Sequence, residues 1–283
     1  MAPSYTGRGW MGALDGGTLL SALSIPGSHD SGALHEPLRG TSRCQNLAIA
    51  EQLAIGVRYL DIRCRNVDNL FKIYHGRVSQ LLNFEDVLTA CTSFLSENAT
   101  ECIIMSVKQE TAPARSTRSF DETFDWYVAK DPKRWQLGGK IPTLKEAAAK
   151  IVLLRQFPTT NSPKGIDATN WPVNATFTID GEANLRIQDD YIVPDTSAKI
   201  AAIKRHYREA AAARDDALYL NFTSGYKPGS LGLPDITFVA DRINPAVADF
   251  FAANPRGRFG ISVIDFVEEA LCALIIATNF GES

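Results

Sequence analysis

The 283-residue chain predicts an α/β fold, one irregular (β/α) barrel spanning residues 1–283. Three observations predict it. Eight short apolar runs, rich in β-branched residues, are spread over the whole length. Segments of helical period lie between several of them, which is the pattern of strands and crossover helices. No break in composition marks a linker and no internal repeat is visible, so a single domain of barrel length is the simplest reading.

In chain order the expected strands are Leu19–Ile25, Val57–Ile62, Phe71–Tyr74, Cys102–Val107, Ile151–Leu154, Asn184–Ile187, Ala217–Phe222 and Phe259–Ile264. The expected helices are Leu47–Ile55, Phe84–Glu97, Ser119–Ala129, Leu144–Lys150, Thr196–Arg214, Asn244–Ala253 and Val267–Thr278. Asn83 suits the N-cap of the second helix, with Glu85 and Asp86 in its first turn where the helix dipole favours acids. The alternation is imperfect. Two strands follow one another between Tyr59 and Tyr74, and the Pro-, Asn- and Thr-rich stretch from Phe157 to Asp180 reads as loop.

Composition narrows the function classes. Hydrophobic residues make up 45% and charged residues 22% of the chain, which excludes a disordered tail or a fibre. Twenty-nine basic residues against 32 acidic give a net charge of −3, which argues against a general nucleic-acid binder but leaves room for one local cationic pocket. No apolar run approaches the roughly 18 residues of a spanning helix. The N-terminus carries no apolar signal core, so the expectation is either a cytoplasmic protein or a secreted one whose leader precedes this sequence. The five cysteines are odd in number and irregular in spacing, and read as reduced, buried thiols rather than a zinc or disulfide framework.

Barrel chemistry gathers where strands end at their C-terminal side. The polar residues there are His29, Asp30, Asp61, Arg63, His75, Lys108, Glu110, Arg155, Gln188, Asp189, Tyr191, Asn221 and Asp265. His29 leaves an apolar strand in Ser24-Ile-Pro-Gly-Ser-His-Asp-Ser-Gly32, and His75 leaves another in Lys72-Ile-Tyr-His-Gly76. A lone histidine is usually structural; two at matched strand exits point to catalysis. His206 lies among Lys204, Arg205 and Arg208 and reads as a solvated face, and His35 as a passive loop residue. Two imidazoles and an arginine suit phosphodiester cleavage by an internal hydroxyl. One neutral ring takes the hydroxyl proton and one imidazolium protonates the leaving alkoxide. The Arg63 guanidinium clamps the phosphoryl oxygens. Asp265 and Asp30 are the carboxylates that would orient the two rings.

These motifs, with Gly56-Val-Arg-Tyr-Leu-Asp-Ile-Arg-Cys-Arg65 between them, resemble the catalytic X domain of bacterial phosphatidylinositol-specific phospholipase C. The resemblance continues in order through Ile103–Glu110, Lys150–Arg155, Trp171-Pro172, Ile187–Tyr191, Leu218–Ser224 and Val263–Phe266. It implies a distorted TIM-type barrel and attack of the inositol 2-hydroxyl on phosphorus, releasing diacylglycerol and a 1,2-cyclic phosphate. It implies His29 as general base oriented by Asp265, His75 as general acid assisted by Asp30, and Arg63 as phosphate clamp. Lys108, Arg155 and Asp189 match residues that bind inositol hydroxyls, Tyr191 matches the aromatic that packs on the ring, and Glu110 and Trp171 fall on matching positions.

Arg63 also bears on metals. Calcium-dependent relatives carry a carboxylate at this position, whereas calcium wants a cage of oxygen ligands that a guanidinium would repel. No metal and no cofactor are therefore expected. The implied partners are the phosphatidylinositol headgroup and, transiently, a membrane surface, with no nucleic acid and with the chain acting as a monomer.

Plainer readings stand beside these. Asp61 reads equally as a strand-end anchor paired with Arg63 and as part of the site, and Arg65 as a surface cation. Lys108 and Glu110 also suit an exposed ion pair worth under about 1 kcal/mol. Asn221 reads as a satisfied core amide, and Trp10, Trp126 and Trp135 as packing. Bacterial relatives place exposed tryptophans on the rim to enter lipid. The matching loops here offer only Leu34, Leu38, Tyr226, Leu231 and Leu233, which predicts shallower insertion. The alternatives are a related barrel glycerophosphodiester phosphodiesterase, whose carboxylate metal cage is not visible, and a silent inositol-lipid-binding module.

Overall fold

The computed structural model describes residues 6–229 and 233–280. Its strands are β1 (Ser24–Ser28), β2 (Tyr59–Val67), β3 (Leu70–His75), β4 (Val78–Asn83), β5 (Ile103–Gln109), β6 (Trp135–Gln136), β7 (Ile151–Gln156), β8 (Ile166–Asp167), β9 (Ala175–Ile179), β10 (Leu185–Asp189), β11 (Leu218–Phe222), β12 (Lys227–Pro228), β13 (Pro234–Asp235) and β14 (Gly260–Ile264). The helices are α1 (Ile49–Ala54), α2 (Phe84–Glu97), α3 (Phe120–Val128), α4 (Leu144–Ala147), α5 (Thr196–Ala212), α6 (Ile236–Ala253) and α7 (Glu269–Ala277).

The main sheet runs β6-β7-β5-β2-β1-β14-β11-β10-β9. All neighbours along this path are parallel except β9, which returns antiparallel to β10. Among the described residues no pairing joins β9 to β6 or β8, so the barrel curls but stays open at this seam. The parallel strands are buried on both faces, as helix-covered strands must be.

Strand pairing fixes which residues look inward. Gly27 lies level with Tyr59, Tyr59 with Ile104 and Ile104 with Val152; on the other side Gly27 lies level with Val263, and Val263 with Phe222. Counting by two along each strand, as the pleat requires, puts Asp61, Arg63, Ser106, Lys108, Leu154, Gln156 and Asp189 on this same inner face. The other face meets the helices. There Asn221 donates to the Ile203 carbonyl of α5 (2.9 Å), Ser262 bonds Tyr207 of α5 (2.8 Å), and Lys199 of α5 donates to Gln188 (2.8 Å).

Local chemistry explains the best-defined helix. The Asn83 backbone donates to Asp86 Oδ2 (2.9 Å), closing the N-terminus of α2, while Phe84, Val87, Cys91, Phe94 and Leu95 form its buried stripe. The N-terminal end of the barrel is closed by Arg58 and Glu101, both fully buried and 2.8 Å apart. Arg58 also donates to the carbonyls of Gly7 and Arg8, tying down the chain start.

Four differences from the sequence reading have physical causes. The apolar run at Leu20–Ala22 is a 3-10 turn, and the strand follows it at Ser24–Ser28, through Pro26. The hairpin β3–β4 leaves the barrel, so no crossover helix is needed between Tyr59 and Tyr74. β9 lies inside the stretch read as loop; it is a half-exposed edge strand whose short Ala-Thr-Phe-Thr-Ile alternation is surrounded by Pro, Asn and Thr. Helix α6 begins eight residues before the expected start and carries Pro245 in its interior.

Candidate active site

His29 follows β1 directly, where the backbone turns sharply: Asp30 sits at φ +39°, a conformation unusual for a residue with a side chain. Asp61 holds this turn. Its Oδ2 accepts from the Asp30 backbone (3.1 Å), its carbonyl accepts from Ser31 (2.8 Å), and its own N–H donates to Ser31 Oγ (2.8 Å). The same Oδ2 accepts from Arg63 Nη2 (2.9 Å) and Nε (3.1 Å). Asp61 is thus both strand-end anchor and part of the site.

The two histidines face one another with ring centroids 6.5 Å apart and planes near perpendicular. His29 Nδ1 is 2.7 Å from Asp265 Oδ1, and its Nε2 is 2.8 Å from Arg63 Nη2. Because a guanidinium only donates, Nε2 is the acceptor and Nδ1 carries the proton given to Asp265. Burial works against the charged ring, but Asp265 beside it outweighs that effect and lifts the His29 pKa above its ordinary value. Asp265 is itself held by the Gly225 N–H (3.2 Å).

His75 sits at the tip of the β3–β4 hairpin. Its Nδ1 donates to the Ser42 carbonyl (2.8 Å), and its Nε2 faces Asp30 Oδ2 at 3.8 Å. Asp30 is fully buried, and neither of its oxygens has a hydrogen-bond partner. Burial accordingly raises its pKa, opposed by the nearby His75 and Arg63. For Arg63, burial is outweighed by Asp61, Asp30 and Glu110, which hold the guanidinium firmly charged.

The expected substrate residues divide. Lys108 and Glu110 lie on the rim with Nζ and Oε2 3.7 Å apart, and Glu110 Oε1 accepts the Gly76 N–H (2.7 Å), tethering the hairpin tip that carries His75. Glu110 is therefore more than half of an exposed ion pair. Asp189 accepts from the Trp171 indole (2.8 Å), and burial raises its pKa. Trp171 packs edge-on against Phe222, which in turn meets His29. Tyr191 is half-buried opposite Tyr226.

Arg155 is not with them. It lies level with Val107 on the outer face, and donates to the carbonyls of Lys164 (2.9 Å) and Phe157 (2.6 Å), to Thr169 Oγ1 (2.6 Å) and to Asp167 (3.0 Å). Strand period 2 is the reason. The inward residue beside Lys108 is Gln156, whose Nε2 reaches Ser106 Oγ at 2.8 Å. Sequence reasoning missed Gln156 because an uncharged side chain next to an arginine attracts no notice; counting from Arg63 through Lys108 would have found it.

Other expectations meet the structure simply. His206 is not a solvated face: it is buried between α5 and the sheet, bonded to the Arg186 carbonyl and packed on Tyr219. Asn221 is a fully satisfied core amide. Arg65 donates to the Ala112 carbonyl and lies over the Tyr74 ring, on the surface. The five thiols are free and buried. Trp10 and Trp135 pack in the core, while Trp126 is exposed between Arg118 and Lys130. Of the rim residues, Leu38 (53% exposed) and Leu233 (46%) line one groove with Arg39 and Arg242; Leu231 lies outside the described residues.

Comparison with known proteins follows the same outline. The family described as "Phosphatidylinositol-specific phospholipase C, X domain" matches residues 19–157. A 1-phosphatidylinositol phosphodiesterase of Staphylococcus aureus is 32% identical over 93% of this chain and 89% of its own length. One from Listeria monocytogenes is 32% identical over 98% of this chain and 86% of its own. A solved S. aureus phosphatidylinositol-specific phospholipase C, studied for modulation of its membrane binding, superposes with a TM-score of 0.87 at 31% identity, covering 97% of this chain and 98% of that one. The Listeria structure gives 0.82 at 30% identity, covering 98% and 100%.

Proposed function

The chain belongs to the phosphatidylinositol-specific phospholipase C family, and from that premise we propose that it cleaves phosphatidylinositol by two-histidine acid–base catalysis without a metal. The observation that carries the mechanism is the tautomer of His29. With Nδ1–H held by Asp265, Nε2 is the unprotonated nitrogen, and it accepts from Arg63 until substrate draws the guanidinium away.

The inositol 2-hydroxyl gives its proton to His29 Nε2 as its oxygen forms a bond to phosphorus. Arg63 transfers its donors from the ring to the phosphoryl oxygens, where charge is developing. The bond from phosphorus to the diacylglycerol oxygen breaks, and His75, protonated on Nε2, gives that oxygen its proton. The products are diacylglycerol and inositol 1,2-cyclic phosphate. Asp30 balances the His75 imidazolium, and Asp265 balances the charge that arrives on His29. Lys108, Glu110, Asp189 and Gln156 line the inner face where inositol hydroxyls need donors and acceptors, with Tyr191 beside the ring. Every group the step uses comes from one chain, so a monomer suffices. The exposed Leu38 and Leu233 with Arg39 and Arg242 support shallow, transient contact with a membrane surface.

Phosphorus NMR of phosphatidylinositol vesicles treated with the protein in excess chelator tests the reading. A cyclic phosphate resonance is expected, absent with His29→Ala and with His75→Ala. A linear phosphomonoester as first product, or full activity in either variant, would overturn it.

A further inference from the structure

Cys44 lies on the wall between the two catalytic dyads, a place where a thiol serves neither acid–base step. One oxygen of Asp30, one ring nitrogen of His75 and Cys44 Sγ all lie within 4.8 Å of one another. Cys44 Sγ is 3.8 Å from His75 Nδ1.

Two further observations point to a ligand here. The Asp30 carboxylate is fully buried with both oxygens unpartnered, and it faces this cluster, its Oδ2 3.8 Å from His75 Nε2. The Nδ1–H of His75 is anchored on the Ser42 carbonyl, an outer hydrogen bond of the kind a metal-binding histidine makes; Nε2 faces Asp30 Oδ2, while the thiol lies 3.8 Å from Nδ1 and reaches a metal held on Nε2 by rotating about its Cα–Cβ bond. Thiolate, imidazole and carboxylate together are a donor set that selects zinc over calcium or magnesium.

We infer that Asp30, Cys44 and His75 form a zinc-binding site that inhibits the protein. The second triad around the thiol, His29, Cys44 and Asp265, is the weaker candidate, because His29 and Asp265 are bonded to each other and to Arg63 and Gly225. The Arg63 guanidinium, 3.7 Å from Asp30, opposes any cation here; Asp61 offsets part of that charge, and the thiolate, a ligand zinc takes and calcium does not, supplies the further attraction. A thiolate and a carboxylate bring two negative charges against the two positive charges of zinc. Binding releases the thiol proton to solvent, forms the Zn–S, Zn–N and Zn–O bonds and changes no oxidation state. The fourth position is left to water or to a phosphoryl oxygen. Zinc then occupies the nitrogen from which the leaving group would be protonated. The site rests on geometry and not on the proposed reaction, so its test reads binding first.

The reduced, metal-free protein is titrated with cobalt(II) as a spectroscopic probe. One equivalent is expected to bring up a thiolate-to-cobalt charge-transfer band in the near ultraviolet, which zinc abolishes and excess magnesium or calcium does not. Cys44→Ser and Cys44→Ala are expected to lose the band, keep the metal-free activity and raise the zinc concentration for half-inhibition at least tenfold. Should both variants fold poorly, zinc-edge X-ray absorption of the wild-type protein with one equivalent decides: one sulfur at about 2.3 Å and lighter ligands near 2.0 Å are expected. No band at one equivalent, a band retained in both variants, or a shell without sulfur would overturn the site, even where the phosphodiesterase reading stands.

Discussion

Arg63 Nη2 lies 2.8 Å from His29 Nε2, so the phosphate clamp is hydrogen-bonded to the very atom that must accept the substrate proton. The two groups wait on each other. Arg63 keeps the His29 ring in the tautomer that a base needs, and a phosphate that draws the guanidinium away frees Nε2 at the moment it is required. Asp61 guides that movement, since its Oδ2 also holds the Asp30 turn.

The coupling sets the pH dependence. The His29 pKa is raised above its ordinary 6.5, with burial opposing and Asp265 dominating the rise. The base works only when neutral, so activity is lost as pH falls through this raised value, and the acidic limb of kcat/KM lies above 6.5. Asp265→Asn removes the carboxylate, so the limb moves to lower pH. The rate also falls, by about 10²- to 10⁴-fold, as the ring loses its orienting partner. Initial rates from pH 5 to 9 measure both. A limb below 6.5 in the wild type would refute the assignment.

Arg155 and Gln156 give a prediction with opposite signs at adjacent positions. Arg155→Met leaves the buried Lys164 carbonyl without a donor and the Phe157 carbonyl with only a long bond from Thr169 Oγ1 (3.4 Å), at about 1–3 kcal/mol for the orphaned group. A lowered Tm with little change in KM is expected. Gln156→Ala, at the half-buried inner position, should leave Tm nearly unchanged and raise KM several-fold. Thermal unfolding and steady-state kinetics on both variants separate the two faces; a KM defect confined to Arg155→Met would contradict the register.

How much of this was legible beforehand follows from period and distance. The parallel core strands and the helices between them were readable because each carries its own apolar period, as α2 does with its cap at Asn83. His29 and Asp265 were readable because each directly follows such a strand, His75 because it ends a strand at a glycine turn, and Arg63 from its motif, since β2 runs on past it to Val67. Arg155 was misplaced because a strand inverts its faces at every residue, and a likeness of motif does not fix register to within one. β9 escaped notice because its five-residue alternation is short and lies in a stretch otherwise rich in Pro, Asn and Thr. Asp61 could not be resolved from sequence, since its double role depends on a turn 31 residues away.

Arg63 also decides the response to chelators. Its charge stands where a calcium ion would need oxygen ligands, and Asp61 is spent on it. Activity on phosphatidylinositol should be unchanged in excess EDTA, or modestly higher if trace zinc had been bound. Added calcium should not stimulate it. Loss of activity in EDTA that calcium restores would sink metal-free catalysis.

The rim determines how the site reaches its lipid. Leu38 and Leu233 are each about half exposed within one groove, flanked by Arg39 and Arg242. Two leucines bury little area, worth about 1.5–3 kcal/mol each when fully inserted, and the flanking cations add attraction only to anionic surfaces, screened by salt. The double variant Leu38→Ser with Leu233→Ser should therefore weaken vesicle binding about tenfold or more. Cleavage of a water-soluble inositol phosphodiester should stay within twofold, because neither side chain lies on the inner face. Sedimentation with phosphatidylinositol-containing vesicles and a phosphorus NMR assay of the soluble substrate measure the two. Equal losses in both would mean that the loops shape the pocket instead of meeting the membrane, and unchanged vesicle binding would move the contact elsewhere on the rim, to Ile192 or Val173, which are also exposed.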